Sequence, residues 1–162
     1  MGEDLKNSSP PGYAYPGEDI KDPTGSGVSY PREDIKNYSA LGYAYLGDAV
    51  YERYVREYIM ESRGNMPVEK YHAIATYFVC AAAQAKAIEA LLDKLTEEEE
   101  GVYRRGRNAK AHAAPKSSSP GEYRKATGFE ALIGYLSING REERALELMN
   151  AAVDILESDK AM

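Results

Sequence analysis

The sequence predicts an all-α protein. Over residues 38–61, side chains of one kind of face recur at intervals of three and four residues, which is the period of a helix, and helical signals dominate the rest of the chain. Glycine, proline and asparagine interrupt this period at the points where helices would end. No segment shows the strict alternation of apolar and polar residues that is typical of a half-buried strand. These observations together favour a bundle of helices.

The first two helices are defined by their start and stop signals. The first is predicted over residues 38–61, because Arg63-Gly64-Asn65 supplies a stop directly after it. The second is predicted as one continuous helix over residues 67–94, with Pro67 in the first turn, where a missing N–H costs nothing. Its middle is rich in alanine, the residue with the highest helix propensity.

The second half of the chain contains three more predicted helices. Thr96 and Glu99 form a capping box that begins the third helix. The segment 113–121 is predicted as a loop, because proline, serine and glycine dominate it. Two helices follow, over residues 122–138 and 141–157.

The first 45 residues contain a tandem repeat with a period of 15, and its third unit runs into the first predicted helix. Residues 1–30 are rich in proline and poor in aliphatic side chains, so they cannot bury enough apolar surface to offset the entropy of ordering. We therefore expect a disordered leader at 1–30, a folded domain at 31–157 and a short tail at 158–162.

Composition limits the cellular setting. No apolar run approaches the ~20 residues of a membrane span, and the N-terminus lacks the pattern of a secretory signal. Cys80 is the only cysteine, which fits a reducing cytoplasm, and its apolar neighbours predict a buried, inert thiol.

Two acids occupy helix positions that are otherwise apolar, Asp48 and Glu130. Isolated charges are rarely buried, because removing them from water costs more than folding supplies. Glycines lie near both acids, at Gly47, Gly128 and Gly134. Small residues let two helices approach closely, so the acids could meet and share a divalent cation. Carboxylates suit Mg²⁺ better than zinc, which prefers histidine or cysteine.

The residues alone leave other interpretations of these acids open. Asp48 could accept hydrogen bonds from tyrosines or a backbone amide instead of binding a metal. If it does bind a metal, Glu52 one turn later could help to bind that metal through water. Glu130 could form a buried ion pair with Arg124 or Arg141.

Basic residues are concentrated in one segment of a chain whose net charge is −6. Residues 104–125 hold seven bases and one acid, and such a segment could neutralise a row of phosphates. The bases are Arg104, Arg105, Arg107, Lys110, Lys116, Arg124 and Lys125. The segment could equally be a solvated face that pairs with Glu97–Glu100. Its loop lacks aromatics for stacking single-stranded bases, so a duplex recognised by shape fits better.

Four motifs carry a resemblance to a known family. They are LGYAYLGDAVYERYVREYI, AAAQAKAIEALL, LTEEEEGVYRRGRNAKAHAAPK and YRKATGFEALIGYL, in this order. From about Asp34 to Leu156 the chain resembles the Mini-III branch of the ribonuclease III family, whose members are the catalytic domain without a double-stranded-RNA-binding domain.

The resemblance implies a helical, homodimeric endonuclease that cuts double-stranded RNA and acts on the ends of the large-subunit (23S) ribosomal RNA precursor. It implies that Asp48 and Glu130 are catalytic and bind Mg²⁺, with Mn²⁺ as an alternative. Ala44 and Thr127 stand where larger relatives carry two further acids. The competing hypotheses are a catalytically silent module that binds RNA or ribosomes, and a helical dimer whose basic segment pairs internally. Inert relatives typically lose the acids, so their retention favours the enzyme.

Overall fold

The computed structural model of the chain describes residues 38–110 and 114–162, and in these ranges it contains helices and no strand. The helices of this part are α1 (Ala40–Arg63), α2 (Val68–Val79), α3 (Ala81–Leu91), α4 (Glu97–Asn108), α5 (Pro120–Ile138) and α6 (Glu142–Lys160). A short 3-10 turn at Leu92–Lys94 follows α3. The all-α prediction is therefore confirmed. The predicted leader at 1–30 lies outside the described residues.

The helix ends follow local capping chemistry. The side chain of Ser39 accepts a hydrogen bond from the Gly42 N–H and begins α1. The capping box of Thr96 and Glu99 is present at the start of α4, as predicted. A second capping box, Ser119 with Glu122, was missed. α5 therefore starts at Pro120, two residues before the predicted start, because a proline that looks like a loop signal is also favoured in the first turn of a helix.

The predicted single helix over residues 67–94 is wrong. Cys80 adopts an extended conformation, with φ −66° and ψ 154°, and separates α2 from α3 by a bend of 45°. Its thiol is exposed at this bend, so the prediction of a core thiol is also wrong. In the described ranges no single helix is long and apolar enough to span a membrane, although α2 and Ala81–Lys94 together satisfy length and composition across their bend.

Two buried side chains donate hydrogen bonds to backbone carbonyls at the bend, where the helical hydrogen-bond pattern is interrupted. The hydroxyl of Tyr51 on α1 donates to the carbonyl of Phe78 at 3.4 Å. The amide of Gln84 on α3 donates to the carbonyl of Val79 at 2.9 Å. Because a buried carbonyl without a partner is costly, these side chains stabilise the break.

α5 is the central helix, with α1, α3, α4 and α6 packed around it. Its buried positions lie between residue 126 and residue 136, on all sides of the helix: Ala126, Thr127, Gly128, Phe129, Ala131, Leu132, Ile133, Gly134 and Leu136. Phe129 meets Tyr51 of α1 edge to face, with ring centroids 5.0 Å apart. A helix that is apolar on all sides must be enclosed, and here its neighbours supply the enclosure.

Glycines allow α5 to touch α1 through backbone atoms. A Cβ added to Gly47 would lie 1.7 Å from the carbonyl oxygen of Glu130, and one added to Gly134 would lie 1.9 Å from the carbonyl oxygen of Tyr43. No side chain fits in either place. α1 and α5 therefore approach more closely than any residue other than glycine at these two positions would permit.

A second glycine contact joins α5 to α4. Gly106 packs against α5, where an added Cβ would lie 2.6 Å from the Cβ of Ala131. Gly128 faces Tyr103 of α4, also at 2.6 Å from an added Cβ. The expected role of Gly128 in bringing the acids together is therefore wrong, since it serves the packing of α4.

A buried ion pair attaches α6 to α4. Glu99 is 3% exposed, and its two carboxylate oxygens accept hydrogen bonds from the guanidinium of Arg144 at 2.9 and 3.0 Å. The same guanidinium donates to the carbonyl of Lys94 at 2.8 Å. The hydrogen bonds to Glu99, led by those from Arg144, hold its pKa below the usual value. The start of α4 and the start of α6 thus form one polar junction.

Replacing Gly47 with alanine should lower the free energy of unfolding by about 3 kcal/mol or more, because the new methyl group would overlap a backbone carbonyl on α5. Urea denaturation measures this change. The matched control is Gly121→Ala in the first turn of α5, where no atom lies within 4 Å of an added Cβ. A Gly47→Ala protein as stable as the control would contradict the close crossing.

Candidate active site

Asp48 and Glu130 meet next to the crossing of α1 and α5. Asp48 follows Gly47 on α1, and the carbonyl that Gly47 touches belongs to Glu130 on α5. Their carboxyl groups lie within hydrogen-bonding reach of each other. The structure thus brings together the two acids whose pairing the sequence predicts, by means of two of the three glycines beside them.

This contact changes the protonation of the acids. Burial raises the pKa of Glu130 to about 8, and the charge of Asp48 adds to the rise. Partial burial also raises the pKa of Asp48, with a further contribution from the negative charge of Glu52. Without a cation between them, the pair therefore holds a proton at pH 7.

Gln84 of α3 is a third member of this cluster. It is 1% exposed, and its side-chain nitrogen donates to Oε1 of Glu130 at 3.1 Å. Sequence reasoning did not single out this residue. A signal was present, because Gln84 lies on the same helix face as the apolar residues Ala87, Ile88 and Leu91.

The ion-pair interpretation of Glu130 is not supported. Its side chain is bonded to Gln84 and Asp48, whereas Arg141 forms a two-point pair with Glu98 at 3.1 and 3.2 Å. Arg124 is exposed to solvent.

A cavity of about 510 Å³ opens in front of the two acids. Its lining comes from α1, α5 and the end of α4: Leu41, Ala44, Tyr45, Asp48, Lys110, Tyr123, Thr127 and Glu130. Ala44 and Thr127 take the positions where further acids would face the same space. Lys110 is the lysine of the basic segment that reaches this cavity, so it lies close enough to contribute positive charge beside the acids.

The other basic residues divide into a paired group and an exposed group. Arg104 pairs with Glu100 at 2.6 Å, Lys125 pairs with Glu89, and Arg107 lies over the ring of Tyr103 at 5.6 Å. The solvated-face interpretation therefore applies to Arg104. The side chains of Arg105, Lys110, Lys116 and Arg124 are exposed, and these four could contact a polyanion.

Comparison with known proteins agrees with this architecture. The family model of the ribonuclease III domain matches residues 41–141. Mini-ribonuclease 3 of Symbiobacterium thermophilum is 53% identical over 114 residues, which cover 70% of this chain and 87% of that protein. Mini-ribonuclease 3 of Enterococcus faecalis is 49% identical over 109 residues, covering 66% and 82%. For the corresponding protein of Staphylococcus aureus the identity is 40% over 115 residues, covering 70% and 85%.

A solved structure shows the same fold. The crystal structure of a Fusobacterium nucleatum protein superimposes with a TM-score of 0.67 at 29% identity, covering 75% of this chain and 96% of that one. The family match spans more than half of the chain, and the Symbiobacterium relative covers 70% of it. The chain therefore belongs to the ribonuclease III family, within its Mini-ribonuclease 3 branch.

Proposed function

We propose that this chain, an endoribonuclease of the ribonuclease III family, cleaves double-stranded RNA with the aid of Mg²⁺. The observation that carries this proposal is the meeting of Asp48 and Glu130 at the wall of an open cavity. We further propose that it works in the cytoplasm as a homodimer on the precursor of large-subunit (23S) ribosomal RNA. This choice of substrate rests on the resemblance to the Mini-III branch alone.

The two acids fit a hard divalent cation. Both side chains offer carboxylate oxygens, which are ligands that suit Mg²⁺ and Mn²⁺. The negative charge of Asp48 contributes to the raised pKa of Glu130, and a bound cation would neutralise this charge. In the described part of the chain, no group of three or more acids, histidines or cysteines is arranged to hold a metal. Asp48 and Glu130 would therefore leave several coordination positions for water and for phosphate oxygens.

The residues in and around the cavity would have three different roles in cleavage: cation binding, stabilisation of charge and binding of the RNA backbone. When bound, Mg²⁺ would supply a concentrated positive charge that polarises the scissile phosphate and makes water a better nucleophile. Asp48 and Glu130 hold that charge in place. Lys110 adds a fixed positive charge at the same cavity, where negative charge develops on the phosphate. Arg105, Lys116 and Arg124 would grip the RNA backbone outside the cavity.

An apolar face beside the acids supports a homodimer. Tyr45 is 86% exposed and Leu41 is 38% exposed, and both line the cavity that holds Asp48. Large apolar side chains gathered at one place on a surface mark an interaction site. A second copy packed against this face would put two cavities near one duplex, so that each cavity could cut one strand.

Asp48→Asn should reduce Mg²⁺-dependent cleavage of a long duplex RNA by at least about a hundredfold, because an amide is a poor ligand for the cation. Binding of duplex RNA in a gel shift should remain within about threefold of wild type, since Asp48 does not grip the backbone. Asp154→Asn on α6 makes the same change at an exposed position and should leave cleavage unchanged. Cleavage by Asp48→Asn at the wild-type rate would refute the assignment. A wild-type protein that binds the duplex without cutting it would favour the silent module.

Replacing Lys116 or Arg124 with alanine should weaken duplex binding and flatten its salt dependence. Removing one phosphate contact lowers the slope of log K against log salt by about one unit. Gel shifts at several salt concentrations give the slope. Lys94→Ala, outside the basic segment, should keep the wild-type slope, and an unchanged slope in the two basic variants would exclude them from the interface.

Glu130→Gln should stabilise the metal-free protein at alkaline pH. Burial raises the pKa of Glu130 to about 8 from an ordinary value of 4.5. The free energy of unfolding of the wild type is therefore highest below pH 4.5, falls as the pH rises and has lost the contribution of the protonated acid above pH 8. Between pH 5 and pH 9 the variant should gain about 4 kcal/mol over wild type, because each unit of pKa shift corresponds to about 1.4 kcal/mol. Urea denaturation in EDTA measures this gain. Glu61→Gln, at an exposed position on α1, should follow the wild-type curve, and parallel curves for Glu130→Gln and wild type would contradict the buried acid pair.

A further inference from the structure

The amide of Gln84 lies between the bend of the α2–α3 segment and the acid pair. It is almost completely buried, at 1% exposure, on α3, which packs against α5. Its side-chain nitrogen uses its two hydrogens on two different partners. One goes to the carbonyl of Val79 at 2.9 Å and the other goes to Oε1 of Glu130 at 3.1 Å.

These partners determine which way the amide points. A backbone carbonyl only accepts hydrogen bonds, so the atom that faces Val79 has to be the nitrogen. The opposite orientation would set the amide oxygen against the carbonyl of Val79 and against the carboxyl of Glu130. The amide oxygen of Gln84 instead points into the protein, where it has no hydrogen-bond partner among the described residues. The molecule tolerates an unpaired buried acceptor in order to keep both donors in place.

The bond to Glu130 restricts a flexible side chain. A glutamate has three side-chain torsions, and its carboxyl group can rotate unless something holds it. Here Oε1 is held by a donor that is itself fixed to the backbone at the bend. The carboxyl group of Glu130 is thereby kept in one orientation beside Asp48.

We propose that Gln84 is a positioning residue that orients Glu130 for cation binding through the hydrogen bond from its amide nitrogen to Oε1. This inference rests on the proposed function, because it assigns a role within the same site. Gln84 acts through Glu130 and does not touch the RNA. Partners of this kind behind a ligating side chain typically change metal affinity about 10–100-fold when they are removed.

The test replaces Gln84 with methionine, which has a similar length and volume but donates no hydrogen bond. Mn²⁺ affinity is measured by calorimetry without RNA, and the Mg²⁺ concentration for half-maximal cleavage is measured with duplex RNA. Both should weaken by about tenfold or more. KM for RNA at saturating Mg²⁺ should stay within about twofold, because the basic surface that contacts phosphates is unchanged.

The matched control is Asn139→Ala at the end of α5. Asn139 also donates a side-chain amide to a backbone carbonyl, that of Tyr135 at 2.8 Å, but it makes no bond to the acids. This variant should lose stability without a change in Mn²⁺ affinity. If Gln84→Met loses stability and still binds Mn²⁺ like wild type, Gln84 is purely structural and the inference is overturned. If the wild-type protein itself neither binds Mn²⁺ nor cuts duplex RNA, the proposed function has failed, and the inference fails with it.

A second measurement keeps the inference testable if Gln84→Met does not fold. In wild-type protein labelled with ¹⁵N, the side-chain amide of Gln84 gives a pair of NMR signals. Their hydrogens should exchange slowly with solvent, and the signals should shift as Mg²⁺ is added. Rapid exchange, or signals that do not respond to Mg²⁺ concentrations that support cleavage, would overturn the assignment.

Discussion

The backbone contact between α1 and α5 is the constraint on which the rest of the structure depends. Gly47 and Gly134 let the two helices approach until the main chain of one touches the main chain of the other. The same crossing places Asp48, one residue after Gly47, beside Glu130, whose carbonyl oxygen Gly47 faces. The contact also makes α5 the centre of the bundle, since α4 approaches its other side through Gly106 and Gly128. Packing and chemistry thus share one requirement, the absence of a Cβ.

A close approach of two acids is unfavourable unless something compensates it. Here the raised pKa of Glu130 reduces the charge of the pair, and the amide of Gln84 donates a hydrogen bond to Glu130. Keeping the two acids together is therefore costly to the folded protein, and the cation proposed above would reduce that cost. Active sites are commonly built this way, because the arrangement that suits a bound ligand is rarely the arrangement of lowest energy without it.

Much of the fold and part of the site could be predicted from local patterns. The helices α1, α4, α5 and α6 could be predicted because start and stop signals lie at their ends, and α1 also shows the period of a helix with one buried face. An acid on an apolar helix face beside glycine is equally local, so the pairing of Asp48 with Glu130 could be anticipated. The bend at Cys80 could not, because alanines favour an unbroken helix and the side chains that stabilise the break come from Tyr51 and Gln84. The role of Gln84 depends on that bend and was hidden with it.

The bend also provides a single site for chemical labelling. Cys80 is the sole cysteine of the chain, and the structure exposes its thiol one helical turn before Gln84. A thiol-reactive fluorophore or spin label would therefore attach at a single defined place, without any prior removal of other cysteines. The label would sit between α2 and α3, and the lining of the cavity includes neither Cys80 nor a residue of these two helices. The unmodified sequence is thus already suited to spectroscopic observation of its own candidate catalytic centre.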